Sequence, residues 1–171
     1  MELTVVEGDI TAQDVDAVVN AANRRMRGGG GVDGAIHAAA GPGLLAECEQ
    51  RYPRGLATGA AGWTGGHALA ARWIIHVVGP NFNAGEQDRS LLVSCYAGAL
   101  AVADEIGAQS VAFPLVSAGV YGWPREDAVR AAVESLLGTS SQVEEARIVA
   151  FGGSTYDLVR QIVAEGGPAG D

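Results

Sequence analysis

Apolar residues are grouped into short continuous runs that alternate with longer stretches of helical spacing. The short runs predict β-strands over 3–6, 17–19, 72–78, 110–116 and 147–151, and a looser alternation over 59–69 predicts a strand and a turn. The spaced runs predict helices over 32–40, 44–51, 88–106, 125–137 and 154–165. Continuously apolar strands that alternate with helices are typical of a sheet covered on both faces. The pattern therefore predicts an α/β fold with a largely parallel sheet.

The length of 171 residues fits one domain, and no repeat or linker interrupts the pattern. We predict a single domain over 1–165 and a flexible C-terminal tail over 166–171. The chain enters a strand directly after Met1 without a signal peptide, and no apolar run approaches the roughly 20 residues of a membrane span. We therefore expect a cytoplasmic protein without a membrane partner.

The formal net charge of −9 makes nucleic acid an unlikely partner, because such proteins cluster basic residues to neutralise phosphates. One local basic cluster does occur, at Arg24, Arg25 and Arg27. Two interpretations of this cluster remain open, a solvated loop and a contact to substrate.

Cys48 and Cys95 lie far apart in helix-like segments, which favours buried thiols over a disulfide or a zinc site. Histidines and carboxylates nowhere show metal-ligand spacing. The sequence therefore predicts neither a metal nor another cofactor.

Four consecutive glycines, Gly28–Gly31, separate a strand-like run from a helix-like run. Glycine packs no side chain and accepts positive φ, so such a run is tolerated where the main chain approaches a bulky group. Free N–H groups in a loop and at a helix N-terminus attract anions, above all phosphates. The run therefore predicts a phosphate-binding loop.

Polar or glycine-rich segments follow three of the predicted strands, at 20–34, 117–122 and 151–154. Ligands of open α/β sheets bind beyond the carboxyl ends of the strands. If these strands are neighbours, the three loops converge on one crevice. Two loops that supply main-chain N–H groups suggest a ligand with two phosphates.

Parts of the sequence partly match two other classes of site. Gly29, Gly31 and Gly34 match the dinucleotide-binding pattern G-x-G-x-x-G, but the first glycine does not follow its strand directly. Ser117 suggests a nucleophile, but it lacks the first glycine of G-x-S-x-G. A serine triad also needs a histidine, and each of the three histidines is better interpreted as a satisfied core or surface residue.

Three polar side chains near the loops have both a structural and a chemical interpretation. Asp33 either stabilises the N-terminus of its helix through the helix dipole or holds a water beside an anionic ligand. Asn23 is a turn residue or a donor to a substrate hydroxyl. Asp9 caps a turn, or it accepts from an amino group such as that of adenine.

Taken together, these segments resemble the macrodomain family from Leu3 to about Ile162. The segments that carry the resemblance are Gly8–Thr11, Val15–Asn23, Gly28–His37, Ala40–Pro42, Ile75–Pro80, Ala112–Pro114 and Ser117–Gly122. Asn23 with Gly30-Gly31-Val32-Asp33-Gly34 is most similar to the branch that hydrolyses ADP-ribosyl esters. The resemblance implies a three-layer α/β/α sandwich around a mixed sheet that binds ADP-ribose.

The resemblance also implies roles for individual residues. Asp9 and the N–H of Ile10 would contact adenine, and Phe151 would stack on it. Asn20 would also bind the ligand. Gly30, Gly31 and Val32 would line one phosphate and the distal ribose, and the diphosphate would be wrapped by Ser117, Ala118, Gly119, Val120 and Tyr121.

In this branch Asn23 would orient the distal ribose, and Asp33 would position or activate the attacking water. The expected activity is removal of ester-linked mono-ADP-ribose from acidic side chains of proteins, deacetylation of O-acetyl-ADP-ribose, or both, without a metal or covalent nucleophile. The expected partners are ADP-ribose, its esters and mono-ADP-ribosylated proteins. The alternative is a reader module that binds ADP-ribose without turnover. Departures from the family pattern include Ala118, where a hydroxyl residue is common, and the basic segment 24–27.

Overall fold

The computed structural model describes residues 1–166. It contains six strands: β1 (Glu2–Glu7), β2 (Ala17–Ala22), β3 (Ala61–Gly65), β4 (Trp73–Val78), β5 (Ser110–Phe113) and β6 (Glu145–Ala150). The five helices are α1 (Gly31–Ala40), α2 (Pro42–Arg51), α3 (Arg89–Ile106), α4 (Arg125–Gly138) and α5 (Gly153–Gly166). Single 3-10 turns occur at Ile10–Ala12 and Phe82–Ala84.

The six strands form one sheet in the order β1-β6-β5-β2-β4-β3. All neighbours are parallel except β3, which pairs antiparallel with β4 at the edge. Helices α1 and α2 pack on one face through a cluster that includes Ile36 and Leu44, whereas α3, α4 and α5 cover the other. The expected three-layer α/β/α sandwich with a mixed, largely parallel sheet is confirmed.

Small aliphatic residues dominate the interior. Helix α4 buries three alanines, and four of the six residues of β4 are Val or Ile. Cys48 and Cys95 are free and buried, as expected. Burial raises the pKa of Cys48 to about 11 and that of Cys95 to about 12, so both thiols stay protonated.

Among the strand boundaries that differ from the prediction, the ends of β2 and β5 affect the site. β2 continues through Asn20 to Ala22, because all six of its residues pair with β4. β5 ends at Phe113 instead of residue 116, since Pro114 has no N–H for a further ladder bond. Asn20 therefore lies inside a strand, and the loop after β5 begins earlier than predicted.

Gly41, with φ of +86°, ends α1 and also precedes α2, which begins at Pro42. The break predicted at this position is therefore a single residue. Gly166 is the last residue of α5, and the rest of the predicted tail lies outside the described residues. None of the helices within residues 1–166 has the length and apolarity needed to cross a membrane.

Candidate functional site

The three loops predicted at strand ends lie around one cavity of about 800 Å³. They meet because β6, β5 and β2 are neighbours and parallel, so that their carboxyl ends share one edge of the sheet. Thirteen of the fourteen predicted site residues line this cavity, and Asn20 does not. The contacts of each residue with a ligand stay predictions.

The glycine run forms the wall of the cavity at the N-terminus of α1. Gly28 and Gly31 adopt φ of +88° and +59°, which explains the preference for glycine at both positions. Gly30 precedes the helix and provides no side-chain cap. The first N–H groups of α1 therefore have no capping side chain, as in helix N-termini that receive an anion.

Asp33 lies in the first turn of α1 and is only 4% exposed. Its Oδ1 accepts a hydrogen bond of 2.8 Å from Asn20 Nδ2, and His37 Nε2 lies 3.5 Å from the same oxygen. Its Oδ2 is buried and has no partner. Burial raises the pKa of Asp33, while Asn20 and His37 oppose that shift. The carboxylate thus has one oxygen tethered and one buried oxygen without a hydrogen-bond partner.

Asn20 and His76 form a buried polar chain beneath Asp33. Asn20 Nδ2 also lies 3.1 Å from His76 Nδ1, and His76 Nε2 lies 2.9 Å from Thr64 Oγ1. An amide nitrogen only donates, so Nδ1 accepts and Nε2 carries the proton of the ring. Burial is the main cause that lowers the pKa of His76 to about 3, so the imidazole is neutral. Asn20 acts here as a support for Asp33.

Asn23 follows β2 and borders the cavity next to the glycine run. Its Nδ2 donates to the carbonyl of Gly28 at 3.1 Å, and its Oδ1 accepts from the N–H of Arg25 at 3.1 Å. A Cβ added at Gly29 would lie 3.2 Å from both Asn23 Nδ2 and Asp33 Oδ2. An amide donor and a carboxylate acceptor therefore flank the same point of the wall.

The loop after β5 forms the opposite wall and is held rigidly at its start. Ser117 has φ of +65°, a strained conformation for a residue with a side chain, and its buried Oγ has no partner. The hydroxyl of Tyr96 accepts from the N–H of Val116 at 2.9 Å. Further along, Asn83 Nδ2 donates to the carbonyl of Val120 at 3.2 Å, and the side chain of Val120 is 82% exposed.

Asp9 and Phe151 lie at the other end of the cavity, after β1 and β6. Asp9 Oδ1 accepts from Thr11 N at 2.9 Å and from Thr11 Oγ1 at 2.7 Å, which confirms the turn cap. These bonds lower the pKa of Asp9. Phe151 is 90% exposed, so its ring has an open face for a planar group. The cavity thus has an aromatic end and a carboxylate–amide end.

Several residues of the site were not singled out by sequence reasoning. His37 was interpreted as a satisfied histidine, although Asp33 and His37 are four positions apart and such pairs share a helix face. His76 is buried in the core, one of the two interpretations that the sequence leaves open for each histidine, but its connection to Asp33 depends on the pairing of β2 with β4. Arg125 and Thr155 also line the cavity, and no local motif identifies them.

Arg24 lies beside the carboxylate–amide end. Its Nη1 is 3.0 Å from Glu86 Oε2. Burial raises the pKa of Tyr121, a residue of the cavity wall; Glu86 adds to the shift and Arg24 opposes it. Within residues 1–166, no group of three or more His, Cys, Asp or Glu side chains is arranged to hold a metal ion.

Comparisons with known proteins agree on one family. The family model described as Macro domain matches residues 19–132. A macro domain-containing protein of Streptomyces coelicolor is 51% identical over 159 residues, covering 91% of this chain and 94% of the relative. A Pantoea vagans protein named O-acetyl-ADP-ribose deacetylase 1 is 39% identical over 168 residues, with 95% and 98% covered.

A solved Trypanosoma brucei macrodomain in complex with ADP-ribose matches the whole fold. Its TM-score is 0.85 at 38% sequence identity, and the match covers 95% of this chain and 69% of that one.

Proposed function

The chain belongs to the macro domain family, and we propose that it binds ADP-ribose and hydrolyses esters of its distal ribose. The substrates would be proteins that carry mono-ADP-ribose on Glu or Asp, O-acetyl-ADP-ribose, or both. The ADP-ribose complex of the trypanosome protein and the name of the Pantoea relative support the ligand and the reaction class.

The shape of the cavity supports one orientation of the ligand. We assign adenine to the end with Phe151 and Asp9, where an exposed ring is available for stacking and a carboxylate for an amino group. The two glycine-containing loops would hold the diphosphate through main-chain N–H groups. The distal ribose then points toward Asn23 and Asp33.

Water is the proposed nucleophile. Asp33 Oδ2 accepts a proton from the water or orients it, and the oxygen attacks the acyl carbon or the anomeric carbon. At the acyl carbon, the bond to the ribose oxygen breaks, and that oxygen leaves with the proton that Asp33 took from the water. At the anomeric carbon, the bond to the ester oxygen breaks, and the substrate's carboxylate leaves. The raised pKa of Asp33 suits a general base, because a pKa closer to the working pH makes the carboxylate a stronger proton acceptor.

The observation that carries this proposal is that Asn23 Nδ2 and Asp33 Oδ2 both lie next to Gly29 in the wall of the cavity. One group can donate to a ribose oxygen, while the other accepts from water. A module that only binds ADP-ribose has no need for an unpartnered buried carboxylate oxygen, which costs free energy.

The test follows loss of label from a protein that carries glutamate-linked ADP-ribose, together with release of acetate from O-acetyl-ADP-ribose. We expect turnover of at least one substrate by the wild type. Asp33→Ala should slow turnover by about 100-fold or more, while much of the ADP-ribose affinity remains in calorimetry. Full retention of label and acetyl group, together with tight ADP-ribose binding, would instead identify a reader.

A further inference from the structure

Nearly half of the basic residues of this protein lie in two short segments of the chain, one of which directly follows Asn23. The chain has eleven arginines and no lysine, and it has twenty Asp and Glu residues. Five of the eleven fall in two short segments, which we call the arginine patch: Arg24, Arg25, Arg27, Arg51 and Arg54. The segments touch, since the N–H of Leu56 donates to the carbonyl of Arg24 at 2.9 Å.

Three of these arginines already have partners. Arg27 donates to main-chain carbonyls, including that of Cys48 near the end of α2. Arg51 stacks 4.0 Å above the ring of Trp63, and Arg24 pairs with Glu86. The side chains of Arg25 and Arg54 are exposed and form no salt bridge or hydrogen bond within residues 1–166. Two guanidinium groups are therefore left for another molecule.

The patch adjoins the end of the cavity where the proposed reaction occurs. Arg25 follows Asn23 by two residues, and its main-chain N–H donates to the side-chain Oδ1 of Asn23 at 3.1 Å. Phe151, at the other end, follows β6, which is separated from β2 by β5. Because neighbouring strands are about 4.8 Å apart, the end of β6 next to Phe151 lies roughly 10 Å along the sheet edge from the end of β2 next to Asn23. The arginine patch thus begins next to Asn23, at the end of the cavity to which the distal ribose is assigned.

We propose that the arginine patch binds acidic residues flanking the modified side chain of a protein substrate. The inference rests on the proposed function and adds the class of substrate. Without these arginines, a chain of net charge −9 would repel an acidic segment. A guanidinium fork matches carboxylates in geometry and charge. A small acetyl ester does not extend beyond the ribose and gains nothing from the patch.

Nucleic acid is the less favoured occupant. A polynucleotide would extend past two arginines onto a surface where acidic residues outnumber basic ones. An acidic peptide needs only local complementarity, because its charged residues adjoin the attachment point.

The experiment compares two peptides that carry the same glutamate-linked ADP-ribose, one with Asp and Glu flanks and one with Ser and Gln flanks. Both kcat/KM and Kd are measured. The wild type should prefer the acidic flanks by about 3- to 10-fold, and the preference should shrink at high salt. The double variant Arg25→Glu/Arg54→Glu should lose or invert it, and should favour Lys and Arg flanks instead.

The control is Arg72→Glu/Arg160→Glu, which makes the same change of charge at two exposed arginines that stack on Trp73 and Tyr156, away from the patch. It should keep the preference for acidic flanks. Equal preference in both double variants, or none in the wild type, would overturn the inference. If Kd shows the preference for acidic flanks but no turnover is detected, the proposed role of the arginine patch is supported and the proposed hydrolase activity is refuted. Stronger competition by an unmodified oligonucleotide than by an acidic peptide of equal charge would also overturn it.

Discussion

At the scale of single residues, Asp33 combines two opposing requirements. Its place in the first turn of α1 favours a negative charge through the helix dipole. Its burial disfavours that charge, and the raised pKa indicates that burial dominates. The unpartnered Oδ2 is therefore a cost to stability that a ligand-bound water would offset.

Asp33→Asn should make the protein more stable while reducing turnover. The folded-state pKa lies above 3.8, so the ionised carboxylate lowers stability at neutral pH, and the neutral amide removes this cost. We expect a Tm increase of about 2–4 °C at pH 7, corresponding to about 1 kcal/mol. The gain should shrink as the pH falls toward 3.8, because Asp33 then takes up a proton.

The control for this variant is Asp157→Asn, which removes an exposed carboxylate on α5. It should change the free energy of unfolding by less than about 0.5 kcal/mol. A lower Tm for Asp33→Asn in differential scanning calorimetry at pH 7 would contradict the interpretation of Asp33.

At the scale of elements, the pairing of β2 with β4 creates the support beneath the site. Asn20 lies opposite His76 in this parallel ladder, and Thr64 of β3 lies beyond it. The chain of hydrogen bonds therefore crosses three strands before it reaches α1. Neutral His76 is required, because protonated Nδ1 could no longer accept from Asn20.

His76 should make the protein acid-sensitive in a defined window. Its pKa is about 3 in the folded state and near 6.5 when unfolded. Its stabilising contribution is thus complete above pH 6.5 and declines down to about pH 3, by up to about 1.4 kcal/mol per pH unit. The difference in urea-unfolding free energy between wild type and His76→Gln should shrink over this window.

Thr64→Val is the matched variant, since it keeps the imidazole and removes its hydrogen-bond acceptor. It should lower stability by about 1–3 kcal/mol and retain the pH dependence of the wild type. A His76→Gln profile parallel to that of the wild type would exclude a buried neutral imidazole.

At the scale of the whole molecule, the sheet order places Phe151 after β6, the loop after β5, and Asn23 with the glycine run after β2 in sequence along one edge. A ligand that extends along this edge contacts loops from several strands simultaneously. Its binding should therefore stabilise the entire fold rather than one loop.

ADP-ribose at about 100 times its Kd should raise the free energy of unfolding by about 2.7 kcal/mol. For a chain of this size, that corresponds to a Tm increase of about 5–10 °C. AMP lacks the second phosphate and the distal ribose, so at the same concentration it should give a clearly smaller increase in a thermal-shift assay. Equal increases would show that the two loops do not hold a diphosphate.

The sequence alone determined most of the elements, the glycine loop and the candidate residues near it. Apolar periodicity and glycine conformation are local properties, and so is the cap that Asp9 makes on Thr11. The motifs around Asn23 and Asp33 are likewise contiguous, so they indicated a family and an activity before any fold was known.

Only the tertiary structure decided which of these residues meet. Asn20 and His76 are 56 residues apart in sequence, and the arginine patch joins two segments through the contact of Leu56 with Arg24. Such contacts depend on strand order and on the packing of loops, which no local pattern encodes. For the same reason, Asn20 was expected to bind the ligand, whereas strand pairing places it below the cavity as a support for Asp33.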